Sequence, residues 1–441
     1  MRGGTRMAGP GPGTGGFRWL ACVAMLLLAA CAGSPREASP GAAAATATPG
    51  AETARAPLLL VSLDGVGADA LFKGDTPRLD AVARRGLRSE GMRPAFPSLT
   101  FPNHYTLVTG LRPDRHGIID NRMSDPQLGR FALSDRNAVG DGRWWQDGEP
   151  IWATARRHGL RSATMFWPGS EAPIRGVQPD HWLPYQKSMP EAERVARVQA
   201  WLDLPAAERP HLLTLYFEAV DTAGHAHGPG SPQERAAMRT VDAAVGLLLD
   251  GLAARGLDDG VNLVFVSDHG MEAVDPARTV FIEDLPGIEL AEVVHIGSQA
   301  GFNPLPGQDE ALARALVGRH GPIECWRKAD LPARLGFGTH RRVPAIYCLA
   351  DPGARIESRA RRERPGAPPP NRGAHGYDPA HPAMAALFVA DGPDLADGAV
   401  LPAFDNVHVH PLLMALLGLE PLEGLDGDPA VLAPALSAGK R

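Results

Sequence analysis

Cysteine is scarce in this chain, four in 441 residues, and two of those, Cys22 and Cys31, fall within the first 31 positions. A metal site in the remainder has to rely on carboxylate and imidazole ligands without thiolate. Lysine is sparse too, because Arg greatly outnumbers it, and a GC-rich coding bias accounts for that together with the abundance of Ala, Gly and Pro. Apart from Arg359 to Arg364, in RARRERPG, there is no basic tract, and the formal net charge is −6. That balance argues against a nonspecific nucleic-acid binder, which needs contiguous Lys and Arg to neutralise phosphates, and the one tract reads as a solvated loop. No internal repeat is present.

What the chain has is apolar bulk, 44% hydrophobic against 21% charged residues, enough to bury a large core. It is long for one domain but normal for an α/β enzyme carrying insertions. Near the amino terminus, Arg18 precedes WLACVAMLLLAA, a run too short to span a bilayer as a mature helix. It ends at Leu28-Ala29-Ala30-Cys31 and resembles a bacterial lipoprotein signal with Cys31 as the lipidated residue; a plain cleaved secretory peptide is the alternative. Ala32 follows rather than Asp, so the expected location is the periplasm, anchored to the outer membrane. Residues 1–31 are thus read as signal and 32–56, rich in Ala, Pro and Thr, as a tether that builds no core. A catalytic domain is expected over 57–425, with insertions at about 122–150 and 272–345, the latter lacking a continuous sheet pattern, and a C-terminal tail over 426–441. Export leaves Cys325 and Cys348 as the only pair in the folded region, and an oxidising compartment favours a disulfide between them.

Residues 57–63 (PLLLVSL), 211–217 (HLLTLYF) and 261–267 (VNLVFVS) are short apolar runs bounded by Pro, Gly, Asp or His, which reads as buried strands. Between the second and third, Met238, Val241, Val245, Leu248 and Leu252 recur every three or four residues across 232–256, the pattern of an amphipathic helix. Strand, helix and strand in that order make a crossover in a parallel sheet, and open parallel sheets bind ligands beyond the carboxyl ends of their strands. Asp64, Asp221 and Asp268 all follow such strands.

Around those ends the chain places Asp64 in LLLVSLDG, Thr100 in FPSLTFPNHY, Asp221 and His225 in YFEAVDTAGHAHGP, Asp268 and His269 in VFVSDHGM, and His375 in HGYDP. Alone, an Asp after a strand is a turn former or cap, and DxxxH occurs by chance. Jointly, three carboxylates, three imidazoles and a hydroxyl suit two divalent ions sharing a nucleophile. Without thiolate, zinc fits best among abundant ions, with manganese or iron as alternatives. A metal can stabilise the alkoxide of a Thr that is otherwise protonated. Ser98 and Thr100 also read as helix caps. His104 and His116 read as local backbone contacts, His227 as exposed or close behind the ligands, and His408 and His410 as structural positions on an extended run; His340 has no assigned place.

With these motifs the chain resembles bacterial members of the nucleotide pyrophosphatase/phosphodiesterase family, in the alkaline-phosphatase superfamily. The resemblance rests on VSLDG, on PAFPSLTFPNHYTLVTGLRPDRHGIIDN at 94–121, and on DxxGHxxGP, SDHGM and HGYDP, and runs from about residue 57 to 420. It implies an α/β, alkaline-phosphatase-like core with a largely parallel sheet between helices. It implies two zinc ions, one held by Asp221, His225 and His375 and the other by Asp64, Asp268 and His269, with Thr100 at the second as nucleophile. It further implies that Asn121 and the backbone amide after Thr100 donate to a phosphate oxygen, and that Phe101 and Tyr185 sandwich a nucleobase with Tyr216 nearby. No Arg stands beside Thr100 in sequence, which favours a monoanionic diester over a dianionic monoester. The expected activity is hydrolysis of nucleotide phosphodiester or phosphoanhydride bonds through a phosphothreonine intermediate, releasing nucleoside 5′-monophosphate, by a monomer with no nucleic-acid polymer as partner. Alternatives are a phosphomonoesterase or phosphonate monoester hydrolase, a lipid-headgroup diesterase, or a noncatalytic surface binding protein of the same fold.

Overall fold

The computed structural model describes residues 55–439. Cys22, Cys31, the signal segment and nearly all of the 32–56 tether lie outside the described residues. Within them, no helix is long and apolar enough to cross a membrane.

The architecture is alkaline-phosphatase-like α/β. Eight strands form the main sheet: β1 (Leu58–Leu63), β2 (Leu87–Ser89), β3 (Ser162–Met165), β4 (His181–Trp182), β5 (Leu212–Phe217), β6 (Asn262–Val266), β7 (Phe388–Asp391) and β8 (Val400–Leu401). Their order is β8-β2-β7-β6-β1-β5-β3-β4. From β6 through β4 every pairing is parallel, with Leu58 opposite both Leu212 and Asn262, while β7 runs antiparallel to its neighbours β6 and β2. All residues of β1, β5 and β6 are buried, as expected of a sheet with both faces covered.

Six helices matter for the site and its packing: α1 (Pro77–Arg85), α2 (Thr100–Thr109), α3 (Glu191–Leu202), α4 (Ala219–His227), α5 (Pro232–Ala253) and α6 (Val409–Leu416). The apolar stripe of α5 is buried at the five positions that its sequence marked, and Ser231 caps its first turn through the Glu234 amide. It packs with α1 and α3 over one face of the sheet, while α2 and α6 join the core on the other.

Several expectations change. The 272–345 segment does carry a sheet: five antiparallel strands between Ala291 and Ala350, with a core of its own around Phe302, Leu312 and Ile346. Its pattern was hidden because strands such as Ala291–His295 and Gly318–His320 are only partly buried and mix apolar with charged residues. In 122–150 a hairpin joins Arg122–Asp125 to Gly129–Ala132, but Trp144 and Trp145 are buried in the main core and tie the segment to it. Residues 429–436 are short helical turns whose Leu432, Ala435 and Leu436 pack into that core. His408 and His410 stand at the entrance to α6 rather than on an extended run, since Pro411 is tolerated in a first helical turn and LLMALL continues the helix.

Cys325 and Cys348 are directly opposite on neighbouring strands and are joined by a disulfide, both fully buried. The bond closes 23 residues, so replacing both cysteines with Ser is expected to cost about 2–4 kcal/mol in urea unfolding while leaving metal content unchanged. Two reactive thiols in the denatured, unreduced protein would contradict the pairing.

Two buried histidines, His116 and His410, make the fold less stable in acid. His116 accepts the Ile118 amide at Nδ1 and faces Thr106 Oγ1 through Nε2, and burial pushes its pKa down to about 3. His410 has no hydrogen-bond partner at either ring nitrogen, and burial pushes it down to about 4. Both are neutral when folded but take up a proton near pH 6.5 when unfolded. Their contribution is complete above about 6.5 and is lost as pH falls toward 4 and 3. Denaturant melts at pH 7 and 4.5 are expected to show a His410→Phe variant losing roughly 2 kcal/mol less than wild type over that interval; equal losses would contradict a neutral buried His410.

Candidate active site at the carboxyl ends of the central strands

Asp64, Asp221 and Asp268 follow β1, β5 and β6, three adjacent parallel strands, and the sheet alone brings them together. Gly65 makes the close approach possible. Its φ is +74° and a Cβ there would stand 3.0 Å from the Asp221 backbone, while its amide donates to Asp268 Oδ1 at 3.2 Å. The loop after Gly373–Ala374, pinned to Glu272–Ala273 by a two-stranded pairing, delivers His375.

All six expected ligands meet. His225 Nε2 and His375 Nε2 are 3.1 Å apart and lie 3.4 and 3.5 Å from Asp221 Oδ1. His269 Nε2 lies 2.9 Å from Asp268 Oδ2, 3.7 Å from Asp64 Oδ1 and 3.4 Å from Thr100 Oγ1. The His269 and His375 rings stack at 3.5 Å and join the two groups.

The orientation of these side chains suits metal binding. His225, His269 and His375 each place Nδ1 against a backbone carbonyl, of Gly373, Gly270 and Ser98, at 2.8, 3.0 and 2.9 Å. Donation there fixes the tautomer and leaves each Nε2 lone pair facing the cluster. Three buried carboxylate oxygens, Asp64 Oδ1, Asp221 Oδ1 and Asp268 Oδ2, have no hydrogen-bond partner. Orphaned anionic oxygens at this depth are costly unless a cation meets them. For Asp221, His225 and His375 the spacing fits as well, because ligands about 2.0–2.1 Å from a tetrahedral zinc stand about 3.3 Å apart.

Electrostatics shows the same strain. Burial, with Asp268 and Asp221 close by, pushes the Asp64 carboxyl well above the usual range. Burial raises Asp268 too, but His269 and His104 outweigh it and hold that carboxyl below its ordinary value. Burial, aided by His269 and His225, drives His375 well below the usual imidazole range. Like charges are crowded here, and among the described residues Lys187 is the one Lys or Arg that eases them, at Asp221.

His104 sits closer to this chemistry than its sequence position indicated. With Asp64 and Asp268 it forms another group of clustered metal-binding atoms. Both its ring nitrogens are engaged, Nδ1 with the Thr100 carbonyl and Nε2 with Ser62 Oγ, each at 2.8 Å. It therefore holds the first turn of α2 against β1. His227 is exposed, and His340 lies 3.1 Å from Asp147, away from the cluster.

Thr100 is the first residue of α2, and neither it nor Ser98 is the cap. Leu99 occupies the N-cap without a side-chain hydrogen bond, and Ser98 Oγ donates to the Tyr377 carbonyl. The Phe101 amide, expected to face the phosphate, instead donates to Asn121 Oδ1 at 2.9 Å. That bond orients Asn121 and leaves its Nδ2 as the available donor. Tyr216 Oη donates to Asp64 Oδ2 at 2.5 Å and so orients that carboxylate, and it lines the same cavity as Phe101 and Tyr185.

Thr100, Phe101 and Tyr185 line one cavity of about 180 Å³ that reaches Asp64 and Asp221. Phe166, Trp167, Glu171, Arg136 and Lys187 line it as well, and sequence reading named none of them. Arg136 is a guanidinium near the site after all, brought by the short helix Arg136–Gly140, but it is ion-paired with Glu171. Lys187 donates to Thr222 Oγ1 at 3.4 Å. No motif marks these positions, although WPGSE at 167–171 follows β3 as the metal motifs follow their strands.

Comparison with known proteins agrees with this geometry. The sequence profile of the type I phosphodiesterase / nucleotide pyrophosphatase family matches residues 58–378. Ectonucleotide pyrophosphatase/phosphodiesterase family member 1 of Rattus norvegicus is 39% identical over 385 residues, covering 84% of this chain and 42% of the rat protein. The chain thus spans less than half the length of that relative. An uncharacterized pyrophosphatase/phosphodiesterase of Schizosaccharomyces pombe is 36% identical, with 82% and 77% of the two chains covered. Among solved structures, murine ectonucleotide pyrophosphatase/phosphodiesterase 5, an inactive variant in complex with AMP, superposes with a TM-score of 0.81 at 31% identity, over 87% of this chain and 100% of that one.

Proposed function

The chain belongs to the type I phosphodiesterase / nucleotide pyrophosphatase family, and from that premise we propose that it hydrolyses nucleotide phosphodiester or phosphoanhydride bonds and releases nucleoside 5′-monophosphate. The observation that carries this reading is the set of three inward Nε2 atoms and three orphaned carboxylate oxygens gathered beside Thr100. Asp221, His225 and His375 would hold one divalent ion and Asp64, Asp268 and His269 a second, with zinc the best match to this donor set. When bound, such ions lower the pKa of a hydroxyl and neutralise phosphoryl charge.

The protein's own groups supply the rest. Thr100 Oγ1, at the start of α2, attacks phosphorus and forms a phosphothreonine that water then hydrolyses, each displacement expelling one oxygen as another bonds. The positive end of the helix dipole at the start of α2 favours the negative charge that develops there. Asn121, fixed through the Phe101 amide, donates Nδ2 to a phosphoryl oxygen. Phe101 and Tyr185 stack the base across the cavity. With Arg136 paired to Glu171, Lys187 is the one cation lining the cavity without an ion pair among the described residues, a small complement that suits a diester carrying one charge. The AMP held by the murine relative supports a nucleotide ligand. The Cys325–Cys348 disulfide supports export to an oxidising compartment, which the signal-like segment ending at Cys31 would direct, with lipid attachment there as the anchor.

Truncating Phe101 tests the base pocket separately from the metals. Phe101→Ala is expected to raise KM for p-nitrophenyl thymidine monophosphate by about tenfold, the loss of one stacking face. Bis(p-nitrophenyl) phosphate, which has no base, should change by less than about twofold. Equal damage to both substrates would remove the nucleotide assignment and leave the two-metal chemistry standing.

A further inference from the structure

The five-stranded insertion sheet reaches the catalytic centre through two consecutive residues, Ser298 and Gln299, where its strand Gln299–Pro304 begins. Ser298 Oγ donates to the backbone carbonyl of His375, and Gln299 Nε2 donates to Asp120 Oδ2 at 3.0 Å. All four residues are buried. None of the chemistry above uses Gln299 or Asp120.

Asp120 ties the turn around Asn121 to the insertion sheet. While its Oδ2 takes the Gln299 amide, its Oδ1 accepts the backbone amide of Arg122 at 2.8 Å, so one carboxylate brackets the residue between them. Asn121 is held at its own end too, where Oδ1 accepts the Phe101 amide at 2.9 Å. The backbone of the turn is therefore set by Asp120 and its central side chain by α2.

Gln299 lies where the segments of the site converge. A Cβ on Gly376, the residue after His375, would stand 2.6 Å from Gln299 Oε1 and 3.0 Å from the side chain of Leu99, the N-cap residue of α2. The Gln299 amide thus fills the junction of the segments that carry Thr100, Asn121 and His375. Stability alone is a poor reason for polar groups at this depth. Gln299 Oε1 has no hydrogen-bond partner, and neither have the two ring nitrogens of His295, whose Nδ1 lies 3.8 Å from Asp120 Oδ2, nor Tyr347 Oη. Buried polar atoms left unpaired are costly, and apolar residues at 120 and 299 would pack the spot without that cost. What they could not supply is the donor: a carboxylate only accepts, so the amide nitrogen of Gln299 has to face Asp120.

We propose that Gln299 is a positioning residue for phosphoryl transfer, setting Asn121 Nδ2 against the phosphoryl oxygen through Asp120, so that the insertion sheet is part of the catalytic apparatus. The inference rests on the functional reading above, in which Asn121 donates to that oxygen. A donor aimed at charge that grows in the transition state acts on kcat more than on KM, and its effect depends on close placement. The disulfide belongs to the same frame. Gln299 is paired with Leu349 and the adjacent Ala300 with Cys348, so the Cys325–Cys348 bridge secures the strand against which Gln299 is registered.

Gln299→Met keeps the length of the side chain and removes its donor. In metal-loaded protein it is expected to lower kcat by about tenfold on both p-nitrophenyl thymidine monophosphate and bis(p-nitrophenyl) phosphate, which share the phosphoryl group that Asn121 meets, with KM within about twofold. Asn121→Ala alone should lower kcat by about a hundredfold, and adding Gln299→Met to it should cost less than about twofold more, because a residue that acts through Asn121 has nothing left to act on. A purely structural role predicts the same loss in both backgrounds. That result would overturn the proposal, as would unchanged kcat in Gln299→Met or a loss of bound metal, which would assign the residue to His375 instead. Should Gln299→Met fail to fold, Gln299→Asn, which draws the donor back by one carbon, takes its place in the same cycle with the same outcomes. If wild type cleaves neither substrate, the functional reading fails by itself, and calorimetry with orthovanadate, a phosphoryl mimic that needs no turnover, still decides Gln299. Weaker binding in Gln299→Met, with no further weakening when it is added to Asn121→Ala, sustains the proposal; equal weakening in both backgrounds, or none, ends it.

Discussion

Replacing Thr100 with Ala is expected to lower kcat on a nucleotide diester by a thousandfold or more, on the order seen when an enzyme loses its nucleophile, while both metals stay bound. The substitution removes one oxygen, 3.4 Å from His269 Nε2, and none of the six carboxylates and imidazoles proposed to hold metal. It should not unfold α2, because the helix draws no cap from this side chain and its N-cap residue is Leu99. Thr100→Ser keeps the hydroxyl and should retain part of the activity. Metal analysis and single-turnover kinetics on the same preparations separate loss of chemistry from loss of metal. Turnover at the wild-type level in Thr100→Ala would remove the covalent mechanism.

The second large effect concerns the ligands. Asp268→Asn or His375→Ala is expected to lose at least one equivalent of metal and nearly all activity, because few ligands hold each ion. Asp268→Asn is the cleaner variant, since the amide keeps an oxygen that can accept from Gly65 while removing the charge. In wild type, added zinc should raise the melting temperature, because an ion bound to folded protein offsets the burial and carboxylate crowding that lift the Asp64 carboxyl. In Asp268→Asn most of that rise should disappear. Full metal content in either variant would contradict the assignment of these residues.

The centre of the fold could be read from sequence because its signals are local and redundant. Buried parallel strands are continuous apolar runs, and in this chain each of the three that carry the site ends directly before Asp64, before α4 with Asp221 and His225, or before Asp268 and His269. The fourth source, Thr100 at the start of α2, was visible as a motif and read as the nucleophile; only the added cap reading fails, because a hydroxyl near a helix start looks the same in sequence whether or not it turns to the backbone. What escaped notice depends on contacts between distant residues. Nothing near Arg136 in sequence foretells Glu171, and nothing near Asn121 shows that its oxygen takes the Phe101 amide. The RARRERPG tract looked like a solvated loop because its charges are exposed along the chain. Only the fold brings Arg122, Arg130 and Arg355 to face it. His408 and His410 were misplaced for a related reason: two imidazoles at period two imitate a strand, whereas Pro411 and the leucines after it start a helix.

Selectivity for a nucleotide diester decides the proposed function of this site. The most direct measurement compares kcat/KM for p-nitrophenyl thymidine 5′-monophosphate and p-nitrophenyl phosphate, two substrates with the same leaving group, on purified zinc-loaded wild-type protein. A site with a base cavity between Phe101 and Tyr185, and with its nearest guanidinium neutralised by Glu171, should prefer the nucleotide diester by at least about a hundredfold, since stacking and charge matching both act in its favour. A preference for the monoester, or no turnover of the nucleotide by protein that carries both metals, would contradict it.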